Sequence, residues 1–263
     1  QFSEINMRKQ SKPSNILNTS KGSLEEFKSY LDWDNVIKGL DYFNNQLPSD
    51  LEKLITDLSN RGWFIYILEG DFIDLPSKVN GLIGKSSDEQ DKFLENYIRL
   101  KADDFKRQLI ETYPNRVNQI KDAFDTHDTG KYYSSIPTFI LLAEGIGRDL
   151  LPNNLGIFEK HSHRSKKIKS GIPKTDDLFD NFSFTDPLEE VIFAPFRIKT
   201  EITENTDKYI TAEDKKIFNR HLILHGLSDN YGTEVNSLKA IALTYFVHEA
   251  LSHYLEREKE NKP

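Results

Sequence analysis

The chain has 263 residues, enough for one large domain or two small ones with a substantial core. Apolar residues make up 37% and charged residues 29%, which excludes a disordered chain, and no apolar run approaches the roughly 20 residues that cross a bilayer. With 42 acidic against 35 basic residues the net charge is −7, which speaks against a sequence-blind nucleic-acid coat but not against a locally basic cleft.

There is no cysteine, so disulfide scaffolds and thiolate metal sites are excluded and a reducing cytoplasm is the expected setting. No signal peptide is visible. A start at Gln1 rather than methionine is what a fragment of a longer chain would show.

Residues 1–21 are polar and without periodicity, and read as a flexible arm. From Ser23 the pattern turns helical, with Leu24, Phe27, Leu31, Val36 and Leu40 at three- and four-residue spacings. Pro48-Ser49-Asp50 reads as the start of a second helix through Leu51, Leu54, Ile55 and Leu58. The apolar block at residues 62–68 (GWFIYIL) fits either a short strand or the buried start of another helix.

A long charged helix is expected over residues 88–112, with Phe93, Tyr97, Leu100, Phe105 and Leu109 on its inner side. Tyr113-Pro114-Asn115 breaks it, a helix with Val117, Ile120 and Phe124 follows, and His127-Asp128-Thr129-Gly130 interrupts again. These breaks suggest an N-terminal helical region over 22–115 and a helical domain over 116–258. In residues 132–151, Ser134-Ser135 precede Pro137 as at a helix start, and Tyr133, Pro137, Ile140, Glu144, Gly147 and Leu151 share one stripe. Glu144 stands out, because a carboxylate on an apolar face needs a cation or donors. Arg148, one turn on, is its local partner, and Arg220 a long-range alternative.

Residues 152–185 read as a long loop holding the only dense basic run, residues 161–169 (HSHRSKKIK). Arg164, Lys166, Lys167 and Lys169 there are candidate RNA contacts, with a solvated loop as the plain alternative. Asp186-Pro187-Leu188-Glu189-Glu190 is a helix start with cap, proline and acids in order, and that helix should reach about Glu201 with a kink at Pro195. Thr211-Ala212-Glu213-Asp214 resembles a capping box, and Gly226 is a left-handed stop, so a helix is expected over residues 212–225. Thr233-Glu234 starts a final helix to about Glu258, apolar over most of its circumference and therefore central or at an oligomer interface.

The segment NRHLILHG (219–226) concentrates the chemistry. On the expected helix, Leu224, Ile217, His221, His225, Phe218 and Leu222 follow in order around one face, with Arg220 at its edge and Asn219 and Ile223 on the far side. Two imidazoles in a dry core would leave several ring nitrogens seeking partners, so this face is easier to rationalise along a wet cleft or a subunit seam. His225 falls in the last turn, where exposed carbonyls carry negative partial charge. Imidazoles titrate near neutrality and a guanidinium offers paired donors to phosphate oxygens, which together suit acid–base work on an RNA phosphodiester.

Arg220, four intervening residues and then His225 resembles the R-x4–6-H signature of the HEPN superfamily, with His221 as the typical polar residue after the arginine. The order N-R-H-x-x-L-H-G, Y-G-T-E and S-L-K-A ahead of an apolar helix extends the resemblance over residues 116–258. It implies an all-α helical bundle with an N-terminal helical extension, dimerising so that two motif copies face each other. It further implies a metal-independent endoribonuclease, often a toxin or phage-defence effector, with no cofactor and with an antitoxin or regulatory partner. Carried over, Arg220 would stabilise the scissile phosphate, His225 would act as general acid or base, and His221 would position them. Glu144 and Asn219 are supporting candidates.

Two rivals stand beside this reading. His221 and His225 are four apart, as zinc ligands often are, with Glu249 or His253 as a possible third; no glutamate follows His221 as in H-E-x-x-H. Alternatively the bundle is a non-catalytic module that binds nucleotide, RNA or protein.

Overall fold

A computed structural model describes residues 46–66, 82–158, 187–198, 200–203 and 217–260. The chain divides into two compact units, Gln1–Leu47 and Pro48–Pro263, and nearly all described residues belong to the second. Among the described residues there are α-helices and 3-10 turns but no strands, so this unit is an all-α bundle. No helix among them is long and apolar enough to cross a membrane. The helix expected from Ser23 and the arm at 1–21 lie outside the described residues.

The helices are α1 (Leu47–Asn60), α2 (Ser87–Thr112), α3 (Val117–Asp128), α4 (Tyr132–Leu150), α5 (Pro187–Arg197), α6 (Arg220–Leu224) and α7 (Glu234–Glu260). The bundle is built on α7, which buries Leu238, Ile241, Leu243, Tyr245, Phe246, Val247 and Leu251 and so is apolar nearly all round. It packs most extensively on α4 and also on α2. Phe105 of α2 stacks on Tyr245, and Phe124 of α3 meets Phe139 of α4 edge to face.

Polar groups inside the bundle are paired. The Thr244 hydroxyl lies 2.8 Å from Ala240 O and 3.1 Å from Phe139 O, tying α7 to α4. His127 Nδ1 sits 2.8 Å from Ser237 Oγ, which is 2.8 Å from Ser135 Oγ, so α3, α7 and α4 share one hydroxyl chain. Tyr113 Oη and His248 Nδ1 are 2.9 Å apart. Each of these pairs spares a buried polar atom the ~1–3 kcal/mol cost of having no partner.

Leu51, Leu54, Ile55 and Leu58 of α1 are buried as their spacing predicts. α2 starts with a capping box in which Glu89 Oε2 accepts from Ser86 N at 2.9 Å. Its inner face differs from the expected one. Gln90, Leu94, Ile98 and Ala102 lead into Phe105 and Leu109, while Phe93 and Leu100 are exposed and Phe93 stacks on Tyr97. Apolar residues occupy two faces of its first half, and contact with α7 decides between them. The described part of the 62–68 block, residues 62–66, is neither strand nor helix: Gly62 adopts φ 81° in a turn, and Trp63 and Phe64 are buried. The boundary expected near residue 115 falls inside the compact unit, because α2 packs on both α3 and α7 across it.

Candidate functional site

The motif is presented by a one-turn helix rather than the fourteen-residue helix expected. Ile217, Phe218 and Asn219 are not helical, and α6 runs only from Arg220 to Leu224. The cause lies in the 3-10 turn Glu201–Thr203, a separate element beyond the end of α5, which stops at Arg197 two residues after Pro195. Glu201 Oε1 accepts from Phe218 N at 2.5 Å, and Asn219 Nδ2 donates to Glu201 O at 2.8 Å. Asn219 Oδ1 then accepts from Leu222 N at 3.0 Å, a side-chain N-cap that fixes where the helix begins. The capping box at residues 211–214 lies outside the described residues. Burial raises Glu201 above the usual carboxylate range and lowers Lys239, and the attraction between them opposes both shifts.

The new start changes which side chains face in. Asn219, Leu222 and Ile223 are buried, whereas Leu224 is exposed, so the inward face is not the one expected from a long helix. At the other end Gly226 takes φ 68°, and Leu227 N and Ser228 N return to Leu222 O at 2.8 and 3.0 Å. Replacing Asn219 by Ala would remove both the cap and the tie to Glu201. The expected result is a loss of about 1–2 kcal/mol in urea unfolding. A variant as stable as wild type would show that neither bond fixes the motif.

The loop after α6 docks on α4 through a defect in that helix. Pro137 is inside α4 rather than in its first turn, and its missing N–H leaves Tyr133 O without its helical donor. Tyr231 Oη donates to Tyr133 O at 3.0 Å, and Tyr133 Oη donates to Asp229 O at 3.0 Å. Gly232 packs so closely on the Tyr133 ring that a Cβ there would overlap it. The α4 stripe read from sequence is split accordingly: Ile140, Gly147 and Leu151 are buried, whereas Tyr133 is exposed and Pro137 and Glu144 are part-buried along a more open edge.

At that edge Arg220 is half-buried with its Cζ 4.7 Å from the centroid of the Phe158 ring. Its Nε is enclosed and has no hydrogen-bond acceptor among the described residues. Burial lowers the guanidinium from its ordinary value, and the nearby Glu144 carboxylate opposes the shift; arginine remains a cation throughout the physiological range. Glu144 is itself engaged by the local partner, Arg148 Nη2, at 3.0 Å, and by Phe158 N at 3.1 Å. The long-range alternative is thus an electrostatic influence without a hydrogen bond. His221 is half-buried and His225 exposed, and their ring centroids are 4.2 Å apart. The motif is therefore open to solvent rather than sealed in the bundle.

The His221 and His225 rings meet, Arg220 opens the same short helix with Glu144 within electrostatic reach, and Asn219 caps that helix. Arg164, Lys166, Lys167 and Lys169 lie outside the described residues. His253 is engaged by Glu189 at 3.2 Å, and Glu249 lies 3.5 Å from His248, so neither extends the His221–His225 pair. No group of three His, Cys, Asp or Glu suited to a metal occurs among the described residues. Phe158 and Glu201 escape a sequence reading: both are remote in sequence from the motif, and no periodicity marks either.

The site is of a recognisable chemical class, a part-buried arginine and two histidines at a solvent-open edge of an α-helical bundle. Comparison with known proteins gives no matching family model, no matching curated protein and no matching solved structure.

Proposed function

We propose that this protein is a metal-independent endoribonuclease of HEPN type, acting in the cytoplasm as a toxin or phage-defence effector. The observation that carries the reading is Arg220, a partly desolvated guanidinium whose Nε has no acceptor among the described residues, beside two adjacent imidazoles at an open surface. A partly dry cation attracts a phosphate more strongly than one in bulk water. Its planar fork matches two phosphate oxygens.

In the proposed reaction the RNA 2′-hydroxyl attacks the adjacent phosphorus. A general base takes the hydroxyl proton, the 5′-oxygen leaves with a proton from a general acid, and a 2′,3′-cyclic phosphate and a 5′-hydroxyl result. Arg220 stabilises the charge that builds on the phosphoryl oxygens. His225, exposed at the C-terminal end of the short helix that Arg220 begins, acts as acid or base, and His221 orients it through ring contact. The active form is a homodimer with two motif segments facing each other, and an antitoxin or regulatory partner restrains it.

Wild type and His225→Ala are incubated with mixed RNA in EDTA. Wild type is expected to cleave undiminished by the chelator and to leave 2′,3′-cyclic phosphate termini, and His225→Ala to leave RNA intact. Loss of wild-type cleavage in EDTA would favour the zinc alternative. Absence of cleavage in any buffer would leave the non-catalytic nucleotide-, RNA- or protein-binding module.

A further inference from the structure

Arg220 has a carboxylate within electrostatic reach and does not pair with it. A half-buried guanidinium beside Glu144 would ordinarily close into a bidentate ion pair, since that satisfies both groups at once. Both Glu144 oxygens are instead committed elsewhere. Oε1 accepts from Arg148 Nη2 at 3.0 Å and Oε2 from Phe158 N at 3.1 Å. Arg148 is held in turn by Asn154 O, 2.9 Å from its Nη1. Gly156 completes the clamp, because a Cβ there would overlap Glu144 Oε1. The same clamp fixes the turn that lays Phe158 against Arg220.

From this geometry we infer that Arg148 is a positioning residue that holds Glu144 away from Arg220 and so keeps the Arg220 guanidinium open for a phosphate of the RNA backbone. The identity of the anion rests on the proposed ribonuclease reading; the arrangement of the three side chains does not. Without Arg148, Glu144 turns to Arg220, and phosphate must then displace a carboxylate to bind.

The test compares wild type, Arg148→Gln, and Arg148→Gln combined with Glu144→Gln. Glutamine at 144 keeps an acceptor for Phe158 N but carries no charge. The first probe is an oligoribonucleotide methylated at every 2′-hydroxyl, which binds but supplies no nucleophile, followed by fluorescence anisotropy at fixed salt. The second is the Arg220 Nε–H resonance, assigned by its loss in Arg220→Ala.

Arg148→Gln is expected to weaken binding about tenfold and to move the Nε–H resonance toward a hydrogen-bonded position. The double variant is expected to restore both, with binding within about twofold of wild type. A purely structural role for Arg148 would leave the double variant as weak as the single one. That result, or a single variant that binds and resonates like wild type, overturns the inference. A wild type that ignores the oligonucleotide while the resonance behaves as described overturns the RNA reading alone.

Discussion

Arg220→Ala and His225→Ala are each expected to lower RNA cleavage by about 10²–10⁴-fold, the range for losing a transition-state charge stabiliser or a general acid–base. Neither change should harm the fold. Arg220 has no hydrogen bond at its buried Nε, and His225 is exposed at the end of a one-turn helix. Truncating Arg220 removes a contact with Phe158 worth ~0.5–2 kcal/mol, which moves the melting temperature of a chain this size by only a few degrees. Arg220→Lys separates charge from geometry, because lysine keeps the cation and loses the fork. Full activity in both alanine variants, measured on folded protein of native oligomeric state, would remove the catalytic assignment. His221→Ala should cost less, since its ring acts on a neighbour.

Acid is expected to destabilise the bundle before it protonates most surface carboxylates. Burial pulls the His248 imidazole from an ordinary 6.5 down to about 4, despite the Glu249 carboxylate 3.5 Å from its Nε2. Above about pH 6.5 the ring is neutral in both folded and unfolded chains and stability does not depend on it. Between about 6.5 and 4 the unfolded chain takes up a proton that the folded one refuses, so stability falls as pH falls. Across that window the loss comes to about 3 kcal/mol. His127, buried against Ser237, is shifted in the same direction and adds to it.

Urea midpoints measured at intervals from pH 7.5 to 4 should therefore decline, with the steepest fall below about 6.5. His248→Gln keeps a partner for the Tyr113 hydroxyl and cannot titrate, so its midpoint should start lower but decline less steeply. Parallel declines in the two proteins would show that His248 is not the acid-sensitive group.

The two sets of histidines show how differently sequence and packing speak. Nothing in their spacing separates His248 and His127, which are core residues satisfied by Tyr113 and Ser237, from His221 and His225, which meet at the surface. All four lie in or next to helices with apolar neighbours. What marks the His221–His225 pair in the sequence is a local feature, the arginine and the glycine stop that flank it, which a core position does not require.

Elements governed by neighbours in the chain were legible. The breaks at Pro114 and Gly130, the proline start at Pro187, the start of α7 near Thr233 and the Gly226 stop follow from backbone constraints that each residue carries wherever it sits. The all-α class follows too, because long stretches at helical spacing have no other way to bury their apolar side.

Elements governed by remote groups were not. The face that α2 turns inward depends on α7, and the start of α6 depends on Glu201 taking Phe218 N and on the tie from Asn219. The commitment of Glu144 depends on Arg148 competing with Arg220. Residue identities alone brought the two imidazoles together, since an i, i+4 spacing puts His221 and His225 side by side on one helix turn. Which groups near position 220 are dry, which are paired and which remain open to a ligand is a competition among partners distant in the chain, and only the folded bundle decides it.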